Sequence, residues 1–413
     1  MPEPVLDWRR TPAIVLGVES QIGLAIVREL GRAGVPVIAV SHDPRAIGLA
    51  SRHAWRRVVV GPPRSDAVIQ TINALSQELG PLSLLTVSEG NLMWLDGHRD
   101  RFDPRVKLAA PTTAALRTVL DKSQTLAVAQ RLGIPVPRTE QPRSTADIEA
   151  LCADFPFPAV LKWADGNAAG AALAAAGLEL VKAEYVYSAD ELRRVAARYA
   201  PIQAWPLVQQ YCAGQGLGQF FFVHGGRIVR RFQHLRIAEW PPEGGFSSVC
   251  DSLPLDQHAE LQRQSAALLH DIGWDGVAMV EYRWDPEKGR ATLMEINGRF
   301  WGSFPLAVAA GAGFALFAHC AALGGPMPAL GEPAPGRRCR MVVTELKRLV
   351  RIILQPGRIR DREFRRRPWQ EAGRFFADYF RSGVSYFVWD LRDQRPFWRD
   401  VGGTISRVRQ GQS

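Results

Sequence analysis

One stretch before residue 304 constrains the fold of this chain more than any other. It reads GVAMVEYRWDPEKGRATLMEINGRFWGS from Gly276 to Ser303, so two β-prone apolar segments flank a loop with turn-forming residues. This pattern predicts a β-hairpin. Closure of the loop by residues 285 and 291 would centre the pairing on residue 288.

Two carboxylates face each other in the predicted hairpin. That register sets Glu281 directly opposite Glu295, with Asn297 on the same face two residues further along. Like charges in this position repel unless a cation lies between them. Because Mg²⁺ and Mn²⁺ prefer oxygen ligands, the hairpin predicts a divalent-metal site. The alternative is a solvated face on which Glu281 pairs with Arg283 or Arg299.

The length and composition indicate a globular protein of several domains. A chain of 413 residues exceeds the size at which one core stops growing, which predicts two or three domains. Hydrophobic residues make up 46% of it and charged residues 22%. No apolar run near the start is long enough for a signal peptide, and the five cysteines form no paired motif. We therefore expect a cytoplasmic protein.

The order of elements predicts an α/β domain followed by an α+β region. Ala13 to Leu16 and Val37 to Val40 are predicted strands around a helix, which indicates a parallel, Rossmann-like sheet. The turn GVESQIG between them lacks the full dinucleotide fingerprint, so we expect no NAD there. Short strands dominate from Pro158 to Ile296.

Three further segments give local predictions. Thr113 to Leu132 is predicted as one helix that ends at a Gly- and Pro-containing segment, and 165–177 as a flexible Ala/Gly-rich loop. Leu306 to Leu323 is predicted as a buried helix, with a membrane-spanning helix as the alternative. Glu89 follows a predicted strand and is interpreted as a solvated loop carboxylate, with substrate contact as the alternative.

These motifs carry a family resemblance. The hairpin with MEINGRF resembles the metal-binding end of the ATP-grasp superfamily, which includes biotin carboxylase and the large subunit of carbamoyl phosphate synthase. SRHAWRRVVV, FQHLRIAEWPPEGGFSS and MEINGRFWGS resemble a bacterial group of predicted ATP-grasp carboxylate-amine ligases. The resemblance implies a pre-ATP-grasp Rossmann-like domain over 1–112, a two-lobed ATP-grasp domain over 113–330 and a basic, aromatic-rich helical region over 331–413.

The resemblance also implies roles for individual residues. They are phosphate contacts for Lys122 and Lys162, metal binding for Glu281, Glu295 and Asn297, catalytic or substrate contacts for Arg299, Arg236 and Glu239, and an adenine-holding hinge for Gln209, Gln210, Tyr211 and Cys212. The implied cofactors are ATP and Mg²⁺ or Mn²⁺. The implied activity is an ADP-forming carbon-nitrogen ligase that converts a small-molecule carboxylate to an acyl phosphate for attack by an amine.

The C-terminal region leaves alternatives open. Residues 337–367 hold twelve Lys or Arg and three acidic residues, and an amphipathic helix is predicted over Met341 to Leu354. We expect its apolar face to pack on the ATP-binding lobe, with peripheral contact to anionic lipid as the alternative. A homo-oligomer is expected and a nucleic-acid partner is not. A non-catalytic nucleotide sensor and a membrane-peripheral accessory protein are the alternative functions.

Overall fold

The first part of the chain forms a parallel sheet. The computed structural model describes residues 6–163, 166–181 and 183–409. The five strands are β1 (Ala13–Leu16), β2 (Val37–Ser41), β3 (Ala54–Val59), β4 (Leu82–Thr86) and β5 (Val106–Leu108), in the order β3-β2-β1-β4-β5. Helices α1 (Gln21–Arg32), α2 (Asp66–Leu79) and α3 (Glu89–Asp96) connect them. This is the doubly wound arrangement expected from the βαβ pattern.

The segment after this sheet differs from its prediction. In place of one helix there are two, α4 (Thr113–Leu120) and α5 (Lys122–Arg131). Asp121 separates them, because its carboxylate accepts hydrogen bonds from the backbone N–H groups of Ser123 and Gln124 and so caps α5. The break makes Lys122 the first residue of a helix.

A small lobe follows, built on a four-stranded antiparallel sheet. Its elements are β6 (Thr139–Glu140), α6 (Thr145–Asp154), β7 (Ala159–Lys162), α7 (Gly166–Ala175), β8 (Glu184–Val186), α8 (Ala189–Ala197) and β9 (Leu207–Gln210). The strand order is β6-β9-β7-β8. The flexible loop predicted for 165–177 is wrong over its described part, where the alanine-rich sequence forms α7.

The large sheet has seven strands. Its elements begin with β10 (Gln215–His224), β11 (Arg227–Trp240), β12 (Phe246–Ser252), α9 (Ala259–Asp271), β13 (Gly276–Asp285), β14 (Arg290–Asn297), α10 (Phe304–Ala309) and α11 (Phe314–Ala322). The strand order is β14-β13-β10-β11-β12, continued by two strands from the C-terminal region.

The C-terminal region is part of this sheet as well as helical. It comprises β15 (Arg338–Arg340), α12 (Val342–Leu354), α13 (Pro368–Ala377), β16 (Val384–Tyr386) and α14 (Arg395–Arg409). β15 pairs with β12, and β16 pairs with β15. It also reaches the first sheet, because Asp393 accepts hydrogen bonds from Arg28 and Ser51.

The apolar segment 306–323 is buried, as expected, but is not one helix. Gly311 and Gly313, both with φ of +74°, separate α10 from α11. Apolar side chains of α10 and α11 share a core with residues of β1 and β10. Among the described residues, no helix combines the length and apolarity needed to span a membrane.

Candidate active site

The hairpin β13–β14 places its two glutamates as predicted. Glu281 pairs directly with Glu295. The loop is closed by Asp285 and Arg290, one residue earlier than expected, and the register shifts between residues 281 and 282. A β-bulge at Met294 supplies the extra residue, which restores the predicted opposition.

Each of these carboxylates contacts a different cation. Glu281 Oε2 accepts a hydrogen bond from Arg236 at 2.6 Å, whereas Glu295 Oε2 lies 3.2 Å from Lys122 Nζ. Burial raises the pKa of Glu281 above its ordinary value against the attraction of Arg236. Burial acts in the same sense on Glu295, but Lys122 and Lys162 outweigh it and hold the pKa of Glu295 below its ordinary value. The two carboxylates therefore differ in charge environment.

The second lysine, Lys162, is the last residue of β7 and lines the same cavity as the hairpin glutamates. Lys162 Nζ donates to Gln209 Oε1 at 3.2 Å, and Gln209 Nε2 donates to Thr139 Oγ1. Burial lowers the pKa of Lys162, with Glu295 opposing the shift. A desolvated ammonium held by one neutral amide is suited to bind an anion.

An alternating network of arginines and glutamates supports the hairpin from β11. Glu239 accepts hydrogen bonds from Arg236 at 3.0 Å and from Arg283 at 3.1 Å. Although burial would raise its pKa, Arg283 and Arg236 keep the pKa of Glu239 below its ordinary value. Glu239 thus fixes two guanidinium groups, which is a positioning arrangement rather than that of a proton donor.

Arg299 joins the hairpin to the first sheet. Its guanidinium donates to Asn297 Oδ1 at 3.0 Å, and its Nε lies 3.3 Å from Glu89 Oε1. Asn297 Nδ2 in turn donates to Glu295 at 3.3 Å. Glu89 is therefore paired with a site residue and lines the cavity, in contrast to the solvated loop carboxylate that we expected.

The predicted hinge residues divide between two environments. Gln209 lines the cavity through its contact with Lys162. Gln210 Oε1 accepts from the backbone N–H of Arg138 at 3.4 Å, and Tyr211 donates to Asp361. Cys212 is half-buried, with Sγ 3.7 Å from the Gln210 carbonyl oxygen.

A single cavity of about 1340 Å³ brings most of these groups together. The residues predicted from the sequence that line it are Lys122, Lys162, Gln209, Arg236, Glu281, Glu295, Asn297 and Arg299. The sequence reasoning missed several other lining residues, namely Tyr185, Trp240, Glu243, Arg351, Arg358 and Arg360. Trp240 and Glu243 lie within the motif FQHLRIAEWPPEGGFSS, but nothing in the sequence assigned either of them to the site. The others come from separate elements that only the fold brings to the cavity.

Three solved structures share this architecture at low sequence identity. The biotin carboxylase of Campylobacter jejuni, in a beta-gamma-ATP complex, gives a TM-score of 0.61 at 15% identity over 79% of this chain and 74% of that one. The biotin carboxylase domain dimer of Hydrogenobacter thermophilus 2-oxoglutarate carboxylase, with MgADP, ADP and bicarbonate, gives 0.60 at 14% over 79% and 72%. Staphylococcus aureus N5-carboxyaminoimidazole synthetase gives 0.56 at 13% over 77% and 78%. The chain has the ATP-grasp fold.

This conclusion rests on three-dimensional similarity. A scan of protein-family models and a search of curated proteins found no match to the chain. The ATP-grasp fold predicted from the sequence motifs is confirmed. The roles of its residues in this chain remain predictions.

Proposed function

We propose that this protein is an ATP-dependent ligase that activates a carboxylate as an acyl phosphate for attack by an amine. The observation that carries the proposal is the opposition of Glu281 and Glu295 inside a cavity that also contains Lys122 and Lys162. The ATP-grasp fold and the neighbours with bound nucleotides support it. Phosphoryl transfer needs positive charge around the moving group, and this cavity supplies it.

The donor set at the hairpin fits Mg²⁺. Glu281, Glu295 and Asn297 offer only oxygen ligands. Within the described residues, no group of three or more His, Cys, Asp or Glu side chains is arranged as a metal site, so the Asn297 amide oxygen is needed to complete the set. When bound there, Mg²⁺ would neutralise phosphate charge as a Lewis acid.

The protein's own residues bind the phosphates, bind the substrate and position the metal-binding carboxylates. Lys122 and Lys162, which both line the cavity, bind phosphate oxygens. Arg299 presents a planar guanidinium to the carboxylate or to the acyl phosphate, and Glu89 and Asn297 hold it in place. Arg236 is oriented by Glu239 toward Glu281 and so fixes that carboxylate.

Hydroxylamine trapping tests the proposed activity. Purified protein receives Mg-ATP, a pool of small carboxylates and hydroxylamine, and ADP and hydroxamate are measured. We expect both products to depend on Mg²⁺ and on the carboxylate. Absence of both ADP and hydroxamate with every carboxylate would contradict the proposal. Nucleotide binding without turnover, unchanged in Glu295→Gln, would favour the alternative of a nucleotide sensor.

A second candidate function comes from the outer face of the C-terminal helices. The expectation that the apolar face of α12 packs on the ATP-binding lobe is wrong. Its buried residues are mostly polar, namely Thr344, Glu345 and Arg348, with Ile352 the apolar exception. Five apolar residues are exposed instead, namely Val343, Leu346, Val350, Ile353 and Leu354. Helix α13, which packs beside it, continues this surface with Trp369, 85% exposed, and Phe376, 62% exposed.

We propose that this surface, the α12–α13 apolar face, rests on an anionic membrane. Exposed basic residues of the same region, among them Lys347, Arg365, Arg366 and Arg367, complement anionic headgroups. Co-sedimentation with phosphatidylcholine vesicles containing about 30% phosphatidylserine tests this. Wild-type protein is expected to sediment, and the double variant Trp369→Ser, Phe376→Ser to stay in solution.

The control for membrane binding is Trp55→Ser, which removes an exposed tryptophan, 57% exposed, from the edge strand β3. It is expected to sediment as wild type does. Equal sedimentation of the double variant would contradict membrane docking. So would a concentration-dependent dimer that the double variant abolishes, because that result would assign the α12–α13 apolar face to a second copy of the chain.

A further inference from the structure

The C-terminal region contributes a segment to the wall of the cavity. Residues 356–363, here called the strap, follow α12 and cross toward the small lobe. Gly357, Arg358 and Arg360 of the strap line the same cavity as Lys122 and Glu295, and so does Arg351 at the end of α12. The strap therefore belongs to the site as well as to the C-terminal region.

Buried hydrogen bonds hold the strap against the small lobe. Asp361 is 5% exposed and accepts from Tyr187 Oη and Tyr211 Oη, both at 3.0 Å. Tyr187 Oη also accepts from the backbone N–H of Arg362 at 2.7 Å. Because Tyr211 directly follows β9 and Tyr187 directly follows β8, the position of the strap is set by the small lobe.

A second contact fixes the strap beside the cavity mouth. The backbone N–H of Arg360 donates to Glu243 Oε1 at 3.2 Å. Arg351 lies over the ring of Trp240, 5.1 Å from its centroid, and its guanidinium reaches the Arg358 carbonyl oxygen at 3.5 Å. Arg351 Nε is buried and has no hydrogen-bond partner among the described residues.

The charges in the cavity do not balance. The described lining contains eight Lys or Arg and four Glu side chains. Lys122, Arg236, Arg283 and Arg299 are each within ion-pair distance of a glutamate. In contrast, no carboxylate oxygen of the described residues lies within 4 Å of the guanidinium groups of Arg351, Arg358 or Arg360. Lys162 also has no glutamate of the described residues within ion-pair distance and donates to Gln209 instead. Three of the four unpaired cations of the described lining therefore come from the strap and the end of α12.

We infer that the strap arginines Arg358 and Arg360, with Arg351 behind them, bind a second anionic group on the carboxylate substrate. The inference rests on the proposed function and narrows its substrate class to acids that carry a further carboxylate or a phosphate. Guanidinium forks match both groups. Arg358 and Arg360 are exposed at the cavity wall, where no carboxylate of the described residues is within ion-pair distance to compete for them.

Binding measured by calorimetry with saturating Mg-AMP-PNP tests the inference. The probes are acetate, succinate, citrate and 3-phosphoglycerate, which separate one carboxylate, several carboxylates and a phosphate. Wild-type protein is expected to bind at least one of the last three about tenfold more tightly than acetate. The variant Arg358→Gln, Arg360→Gln is expected to lose that difference while its affinity for Mg-AMP-PNP stays within twofold of wild type.

The matched control is Arg365→Gln, Arg366→Gln, which removes the same charge from exposed positions outside the cavity lining. It is expected to bind all four acids as wild type does. Equal losses in both variants, or no preference over acetate in wild type, would overturn the inference. A protein that fails to bind Mg-AMP-PNP would instead contradict the proposed function. In that case, titration of the acids without nucleotide still measures whether Arg358 and Arg360 bind a second anionic group.

Discussion

Glu281 and Glu295 lie directly opposite each other on the hairpin, yet each contacts a different cation, Arg236 at 2.6 Å and Lys122 at 3.2 Å. The two cations approach from different elements, β11 and the start of α5. Each carboxylate therefore has a positive charge beside it. The lysines lower the pKa of Glu295 and so favour the ionised state that a metal ligand requires, whereas Arg236 only opposes the burial that raises the pKa of Glu281.

The hairpin glutamates give the first prediction. Glu295→Gln is expected to lower the rate of ADP formation about 100-fold, because an amide cannot replace a charged oxygen ligand. Steady-state kinetics across a Mg²⁺ titration would measure it. Glu287→Gln, on the exposed loop of the same hairpin, is expected to keep the wild-type rate. Equal rates of ADP formation in the two variants would contradict the assignment of Glu295 as a metal ligand.

Lys162 is predicted to be needed for activity but not for stability. Lys162→Met is expected to lower the rate of ADP formation by about 100-fold or more, because it removes a phosphate contact. Its Tm is expected to equal or exceed that of wild type, because burial already disfavours the ammonium. Thermal denaturation and kinetics on one preparation would measure both. A large loss of Tm would indicate a structural role.

Arg338 is predicted to be essential for stability in the C-terminal region. It is buried on β15 and binds two carboxylates, Asp251 at 2.6 Å and Asp378. Arg338→Met is expected to lower the free energy of unfolding by about 3 kcal/mol, because each carboxylate loses its nearest cation and keeps only a longer contact, to Arg381 or to Arg340. Urea denaturation would measure the loss. The neighbouring exposed Arg337→Met should leave the midpoint unchanged.

Glu29 is predicted to make stability depend on pH. Its carboxylate accepts hydrogen bonds from the backbone N–H groups of Ala315 and Leu316 at the start of α11, and burial raises its pKa from 4.5 to about 7. The folded state therefore binds more protons than the unfolded state between these values. The contribution of Glu29 is most favourable below pH 4.5 and falls as pH rises to about 7, by on the order of 3 kcal/mol.

The variant Glu29→Gln isolates this effect. Glutamine keeps an acceptor oxygen without a titrating charge. We expect the stability difference between Glu29→Gln and wild type to shift in favour of the variant between pH 5 and pH 7.5, as measured by urea midpoints. Glu78→Gln, which alters an exposed pair with Arg56, should show no such shift. A pH-independent difference for Glu29→Gln would contradict the prediction.

The sequence predicted the parts of the site that lie on one element. Two-residue alternation and a turn-rich loop identified the hairpin, and the opposition of Glu281 and Glu295 followed from strand geometry alone. The loop closure was wrong by one residue, and the bulge at Met294 compensated for it. The position of a bulge depends on packing and twist across the whole sheet, and the local sequence pattern carries no information about either.

The sequence by itself determined the parallel opening sheet, the acidic hairpin and the basic charge of residues 337–367, because periodicity, turn residues and composition are local properties of the chain. Only the tertiary structure decided that Arg236 pairs with Glu281, that α12 turns its polar face inward and that the strap reaches the cavity. These features depend on contacts between residues far apart in the chain. Buried charges determine such contacts because each must find a partner, and the whole fold decides which partner is within reach.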